Sequence, residues 1–88
     1  MDRLATLTLY FRDGCHLCED MQRLLGELLD PTSYSLKLVD IDAEAALVRE
    51  YNELVPVLKL GEAELCRYFI DLKAVQQALA GYNSVVEP

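Results

Sequence analysis

Between residues 4 and 29 the apolar positions change period, and the change falls on a pair of cysteines. Leu4 to Phe11 alternates Leu with Thr and ends in two aromatics, the pattern of a mostly buried β-strand. Arg12-Asp13-Gly14 is a short polar break containing a turn-permissive glycine. Leu17, Met21, Leu24, Leu25, Leu28 and Leu29 then recur at helical intervals along one stripe. The spacing predicts a helix that starts at or near Cys15 and stops at Asp30-Pro31, because proline disfavours helix in the residue before it. Cys15-His16-Leu17-Cys18 therefore lies where a strand hands over to a helix.

The rest of the chain continues the alternation of elements. Tyr34 to Ile41 reads as a second strand, with Leu36 and Leu38 on one face and Val39 and Ile41 on the other. Asp42 is a good N-cap for a short helix through Ala46, Leu47 and Tyr51. Val57 to Leu60 and Glu64 to Tyr68 read as two short strands joined around Gly61-Glu62, an antiparallel hairpin of unspecified turn type. Asp71 then caps a last helix carrying Leu72, Val75, Ala78 and Leu79 on one side. Gly81 is expected to stop it, leaving Tyr82 to Pro88 as a loose tail. The order is strand, helix, strand, helix, strand, strand, helix. A full helix separates the first two strands, so they are expected to pair in parallel through a right-handed crossover.

Eighty-eight residues make one domain, here residues 1–88 with a core at about 4–80. At 52% hydrophobic the chain can build that core without a structural disulfide or metal. Its apolar runs are too short for a membrane span. Fifteen acids against eight bases give a formal charge of −7. That charge disfavours nucleic acid and acidic membrane surfaces as partners, since both need a cationic face. Met1-Asp2-Arg3 runs straight into the first strand, with neither the basic start nor the apolar core of a secretory leader. Three cysteines, an odd number with two of them three apart, do not form a secreted disulfide framework. A reducing, cytoplasmic compartment is expected, where a Cys-x-x-Cys pair is redox-active or binds metal.

A thiolate, not a thiol, attacks a disulfide, and a cysteine at a helix start faces unpaired N–H groups and the positive end of the helix dipole. Both favour the thiolate of Cys15. Cys18, one turn on, lies close enough to resolve a mixed disulfide formed on Cys15. The expected roles follow: Cys15 attacks and Cys18 resolves. Other readings stand beside this one. In one of them the cysteines are ordinary buried small residues. Cys15, Cys18, Cys66 and His16 together would supply four zinc ligands, although no second Cys-x-x-Cys or His pair exists. An iron–sulfur cluster shared between two chains is also compatible with the cysteines. His16 is either a modulator of the Cys15 thiolate or an exposed helix residue without a role. Cys66, in a predicted strand, reads as passive.

Tyr10-Phe11-Arg12-Asp13-Gly14-Cys15-His16-Leu17-Cys18 resembles the start of a glutaredoxin. Val39-Asp40-Ile41-Asp42 followed by Leu54-Val55-Pro56-Val57 resembles the later half of the same pattern. The likeness covers about residues 4 to 80 and is greatest to small bacterial glutaredoxin-like proteins. It implies an α/β thioredoxin-like fold, βαβ then αββα, with three helices and a four-stranded mixed sheet. In that family the Val-Pro bond before the third strand is cis and faces the cysteines. Carried over, Val55 and Pro56 form the substrate-side wall, with the Val55 backbone pairing to a bound peptide or glutathione. Independently, cis geometry is rare outside proline, which makes Pro56 the one place for it; a trans proline opening a strand is the alternative. Of the family's glutathione contacts, Arg12 and Asp71 have counterparts here, and Asp71 is equally explained as a helix cap.

The chain also departs from the family. His16-Leu17 replaces Pro-Tyr between the cysteines, and Leu54 stands where a threonine is common. Arg67-Tyr68-Phe69-Ile70 replaces the Gly-Gly pair that lets glutathione lie against the backbone. The expected function is thus a thiol–disulfide oxidoreductase acting on protein or small-molecule disulfides. No resident cofactor or metal is expected. Glutathione or a reductase serves as recycling partner only so far as the resemblance carries. The alternative is a non-catalytic module of the same fold that holds a protein partner, a metal or a cluster.

Overall fold

A computed structural model describes residues 4–86. The Met1-Asp2-Arg3 start and the last two residues of the expected tail lie outside the described residues. Strand β1 (Ala5–Phe11) leads into helix α1 (His16–Leu28), β2 (Tyr34–Asp40), helix α2 (Ala45–Tyr51), β3 (Val57–Leu60), β4 (Ala63–Arg67) and helix α3 (Leu72–Val86). Single 3-10 turns at Ile41–Ala43 and Asn52–Leu54 flank α2. The sheet order is β2-β1-β3-β4. β1 pairs with β2 in parallel and with β3 antiparallel, and β3 pairs with β4 antiparallel, so the sheet is mixed. This is the thioredoxin-like arrangement.

The Leu–Thr alternation of β1 decides which face is packed. Ala5, Leu7 and Leu9 are fully buried, and Leu7 lies opposite Leu36 on one side and Leu60 on the other. Met21 and Leu25 of α1, Leu29 at its C-cap, and Val75 and Leu79 of α3 close over this face as one core. Tyr34 ties β2 to α1: its hydroxyl donates to the Leu25 carbonyl at 3.1 Å. A second cluster, Ile41, Tyr51, Val55 and Val57 with Cys18, forms where the strands end beside the cysteines. Val57 and Leu58, adjacent in β3, fall into different clusters, as the alternation of a strand requires. Gly61, at φ +61°, takes the first position of the two-residue Gly61-Glu62 turn that joins β3 to β4. Among the described residues no helix is long and apolar enough to cross a membrane.

Three local expectations need correcting. Asp42 does not cap α2. Asp40 caps the 3-10 turn before that helix, accepting from the Asp42 N–H at 3.0 Å, and Glu44 precedes α2 with no side-chain cap. The Asp42 carboxylate is held by Arg12 instead, and an ion pair with two bonds outweighs a single capping bond. Gly81 does not stop α3, which runs on to Val86 and removes the expected loose tail over residues 82–86. A helical glycine costs only about 1 kcal/mol relative to alanine, and Tyr82 packs against the main core beyond it. Finally, β4 ends at Arg67 rather than at Tyr68, which leaves the strand with φ +67°.

Candidate active site

The turn from β1 into α1 places the cysteines. The Cys15 N–H donates to the Arg12 carbonyl at 3.3 Å, closing a turn in which Gly14 adopts φ +79°. A residue with a side chain rarely adopts that φ, which is why glycine stands there. Cys15 is then the N-cap of α1, in extended conformation, and its carbonyl accepts from the Glu19 N–H at 3.1 Å. Cys15 and Cys18 are joined by a disulfide with a Cα–Cα distance of 5.2 Å. The Cys15 sulfur accepts a hydrogen bond from the Cys18 N–H at 3.1 Å, so it occupies the place a capping oxygen would take. Burial separates the two sulfurs. Cys18 is 3% exposed within the second cluster, whereas Cys15 is half-buried at its margin.

Val55 and Pro56 are brought to the same place. The Val55-Pro56 peptide bond is cis, and Val55 packs in the cluster that holds Cys18, with Cys15 and Leu54 against it. The Pro56 carbonyl accepts from the Tyr68 N–H at 2.8 Å, linking the wall to the end of β4. Arg12 also lies beside the motif, but its guanidinium is engaged. Nη2 and Nε reach the two oxygens of Asp42 at 2.7 and 3.2 Å, and Nη1 reaches the Asn52 carbonyl at 3.5 Å. The pair pushes the Arg12 pKa up and holds Asp42 below the usual carboxylate range, in each case chiefly through the side-chain hydrogen bond.

The remaining expected residues stand apart. His16 is the first residue of α1, exposed, and its ring makes no hydrogen bond among the described residues. Asp71 caps α3: its carboxylate accepts from the Ala74 N–H at 3.1 Å and its carbonyl from the Val75 N–H at 3.0 Å. Its neighbour is Cys66, whose thiol pKa is pushed up, first by burial, with a hydrogen bond from the Asp71 backbone opposing the rise. Cys66 packs against the main core and is a free thiol. Among the described residues no three His, Cys, Asp or Glu side chains gather as metal ligands, so His16 and Cys66 do not join the pair in a four-ligand set.

One feature near the site escaped sequence reasoning. Tyr10 and Tyr51 stack with centroids 4.4 Å apart, and Lys59 Nζ lies 5.9 Å from each ring and 3.3 Å from the Tyr51 hydroxyl. Burial pushes the Tyr51 pKa up, and the hydrogen bond to Tyr51 pushes that of Lys59 up. This stack fastens α2 to β1 and β3 behind the cysteines. The signal was present: Tyr10 and Lys59 fall on the strand face away from Leu9 and Leu58, where a charged residue needs a partner.

A thioredoxin-like sheet, a disulfide capping its first helix and a cis Val-Pro bond whose valine packs with the cysteines define a glutaredoxin-like protein. The chain belongs to the family described as Glutaredoxin-like domain (DUF836), whose model matches residues 6–80. The solution NMR structure of protein Ne2328 from Nitrosomonas europaea is similar, at 38% identity and a TM-score of 0.75, covering 89% of this chain and 94% of that one. So is the X-ray structure of protein XcR50 from X. campestris, at 33% identity and a TM-score of 0.67, covering 85% of this chain and 96% of that one. No curated protein matches the sequence.

Proposed function

We propose that this protein is a thiol–disulfide oxidoreductase working through a Cys15–Cys18 dithiol cycle. The observation that carries the reading is the asymmetry of the pair. The outer sulfur, on Cys15, caps a helix and receives a backbone N–H, while the inner sulfur, on Cys18, is buried one turn away. In the reduced protein the same N–H and the helix dipole favour negative charge on Cys15.

The cycle balances without a resident cofactor. The Cys15 thiolate attacks one sulfur of a substrate disulfide. The S–S bond breaks, and the other substrate sulfur leaves as a thiolate that takes a proton from water. The Cys18 thiol gives up its proton and attacks the Cys15 sulfur, closing the protein disulfide and releasing the second substrate thiolate. Two electrons have passed from the protein to the substrate. A thiol reductant (a dithiol protein, a reductase or glutathione) returns them by the reverse exchange. Val55 and Pro56 flank the mixed disulfide, and the Val55 backbone is the pairing edge for the bound segment. His16, exposed at the helix start, acts as a cation near the thiolate when protonated. Arg12 and Asp71 serve the substrate through the elements they brace. A reducing compartment such as the cytoplasm suits this cycle, because the dithiol must persist.

The test is a trapping experiment with reduced variants and hydroxyethyl disulfide. C18S is expected to stop at a stable one-to-one adduct on Cys15, found by mass spectrometry, and C15S to form none at that helix. Equal adducts on both variants, or none on either, would overturn the reading.

A further inference from the structure

We propose that this site serves protein disulfides, and that an apolar groove beside it seats a hydrophobic side chain next to the target cysteine; the proposal rests on the dithiol reading above. The groove, about 220 Å³, runs between α1 and the turn from β4 to α3. Leu17, Met21 and Leu24 form one wall, and Tyr68, Phe69 and Ile70 the other. Leu17 precedes Cys18 in the first turn of α1, so one end of the groove lies on the helical turn that carries the cysteines.

The outer wall is held open by backbone geometry. Tyr68 sits at φ +67°, a conformation that a bulky L-residue seldom adopts. Its N–H is tied to the Pro56 carbonyl at 2.8 Å, and the Phe69 N–H folds back to the Arg67 carbonyl at 2.7 Å in a γ-turn. The result leaves Phe69 70% exposed at the groove rim. A left-handed tyrosine presenting an exposed phenylalanine disfavours the chain in isolation, which is the pattern of a binding segment.

Charge selects the occupant. Glutathione carries carboxylates at both ends and needs free cations or N–H groups. The arginines bordering the motif and groove are each occupied by a carboxylate of this chain. Arg12 holds Asp42, Arg67 holds Glu64 at 2.7 and 2.8 Å, and Arg23 lies between Asp20 at 3.7 Å and Glu27 at 3.2 Å. Asp71 already takes the Ala74 N–H at the start of α3. With a chain charge of −7, an acidic tripeptide is repelled. A polypeptide segment fits: a leucine- or phenylalanine-sized residue beside its cysteine for the groove, and a lysine or arginine for the acidic surround. When Cys15 forms the mixed disulfide with that cysteine, the apolar neighbour lies between Leu24 and Phe69.

The test compares three disulfides reacting with the fully reduced protein: a short capped peptide disulfide with leucine and lysine flanking its cysteine, its counterpart with serine and glutamate there, and oxidised glutathione. Hydroxyethyl disulfide reports on the redox chemistry alone. The leucine–lysine peptide is expected to react about tenfold faster than the other two, the scale of one buried aliphatic side chain. F69S is expected to lower that ratio severalfold, leaving only the part that charge carries. L38S, on the far edge strand, removes an exposed leucine outside the groove and is expected to keep the ratio. Glutathione reacting as fast as the leucine–lysine peptide, or a ratio unmoved by F69S, would overturn the proposal. If hydroxyethyl disulfide also fails to react, the dithiol reading falls. Binding then decides the groove, using the leucine–lysine peptide with serine for its cysteine. Shifts of the Leu17, Leu24 and Ile70 NMR resonances that F69S abolishes would support the groove, and no shifts would refute it.

Discussion

The backbone N–H of Cys18 donates a 3.1 Å hydrogen bond to the sulfur of Cys15, so in the proposed cycle the residue one turn along the helix would steady the charge on the sulfur that it then attacks. In the same turn Glu19 is the acidic residue, with its negative charge near the positive end of α1 and near Cys15. It opposes the thiolate that the helix end favours. Replacing it with lysine is expected to lower the Cys15 thiol pKa by a few tenths of a unit, since such interactions are worth about 0.3–1 kcal/mol. Alkylation rates of the reduced protein against pH, compared between wild type and E19K, check this; an unchanged or raised pKa would contradict it.

The Arg12–Asp42 pair makes stability depend on pH in a definite direction. Asp42 is held below the usual carboxylate range in the folded chain by Arg12. The unfolded chain therefore binds the proton more readily, and the pair's contribution is present above the ordinary carboxylate pKa and fades as pH falls through the lowered folded value. Arg12 stays protonated throughout, because its own pKa is raised. Thermal unfolding of wild type and D42N is expected to differ at neutral pH, with wild type more stable, and to converge at strongly acidic pH. A gap that widens on acidification would contradict the assignment.

Tyr68 pits its backbone against its side chain. A left-handed conformation costs an L-residue about 1–2 kcal/mol, which glycine avoids, whereas a β-branched residue fares worse. Y68G is expected to hold or raise the denaturant midpoint despite losing a large ring, and Y68V to lower stability by about 1–2 kcal/mol. Equal losses in both would mean that the ring contacts, not the backbone, dominate at this position.

Gly81 lies inside a continuous helix, and a Cβ built there would meet nothing within 4 Å. G81A is expected to stabilise the protein by about 1 kcal/mol, read from denaturant midpoints at equal slope. Destabilisation would instead indicate that α3 ends near this residue, as the glycine alone had suggested.

These outcomes separate what short-range pattern reveals in this chain from what it conceals. The switch from the Leu–Thr alternation of β1 to the Leu17, Met21, Leu25 stripe of α1 marked the junction where the cysteines sit, because both faces pack on one core. The resemblance of Leu54-Val55-Pro56-Val57 located the cis bond for the same reason: the wall is local to the strand it opens. Asp42 and Gly81 were misjudged because capping and stopping signals are weak. Arg12, thirty residues earlier in the chain, outweighed the first, and the packing of Tyr82 outweighed the second. The left-handed Tyr68 had no signal at all, since the carbonyl that holds it belongs to Pro56, twelve residues earlier and just before β3.

The central claim is that Cys15 is the activated nucleophile and that the third cysteine is not. Alkylation of the fully reduced protein, followed site by site with mass spectrometry across pH, tests it directly. Cys15 is expected to react as a thiolate with a transition below the ordinary thiol value, and Cys66, whose pKa burial raises, with a transition above it. Cys15 titrating at or above Cys66 would contradict the account.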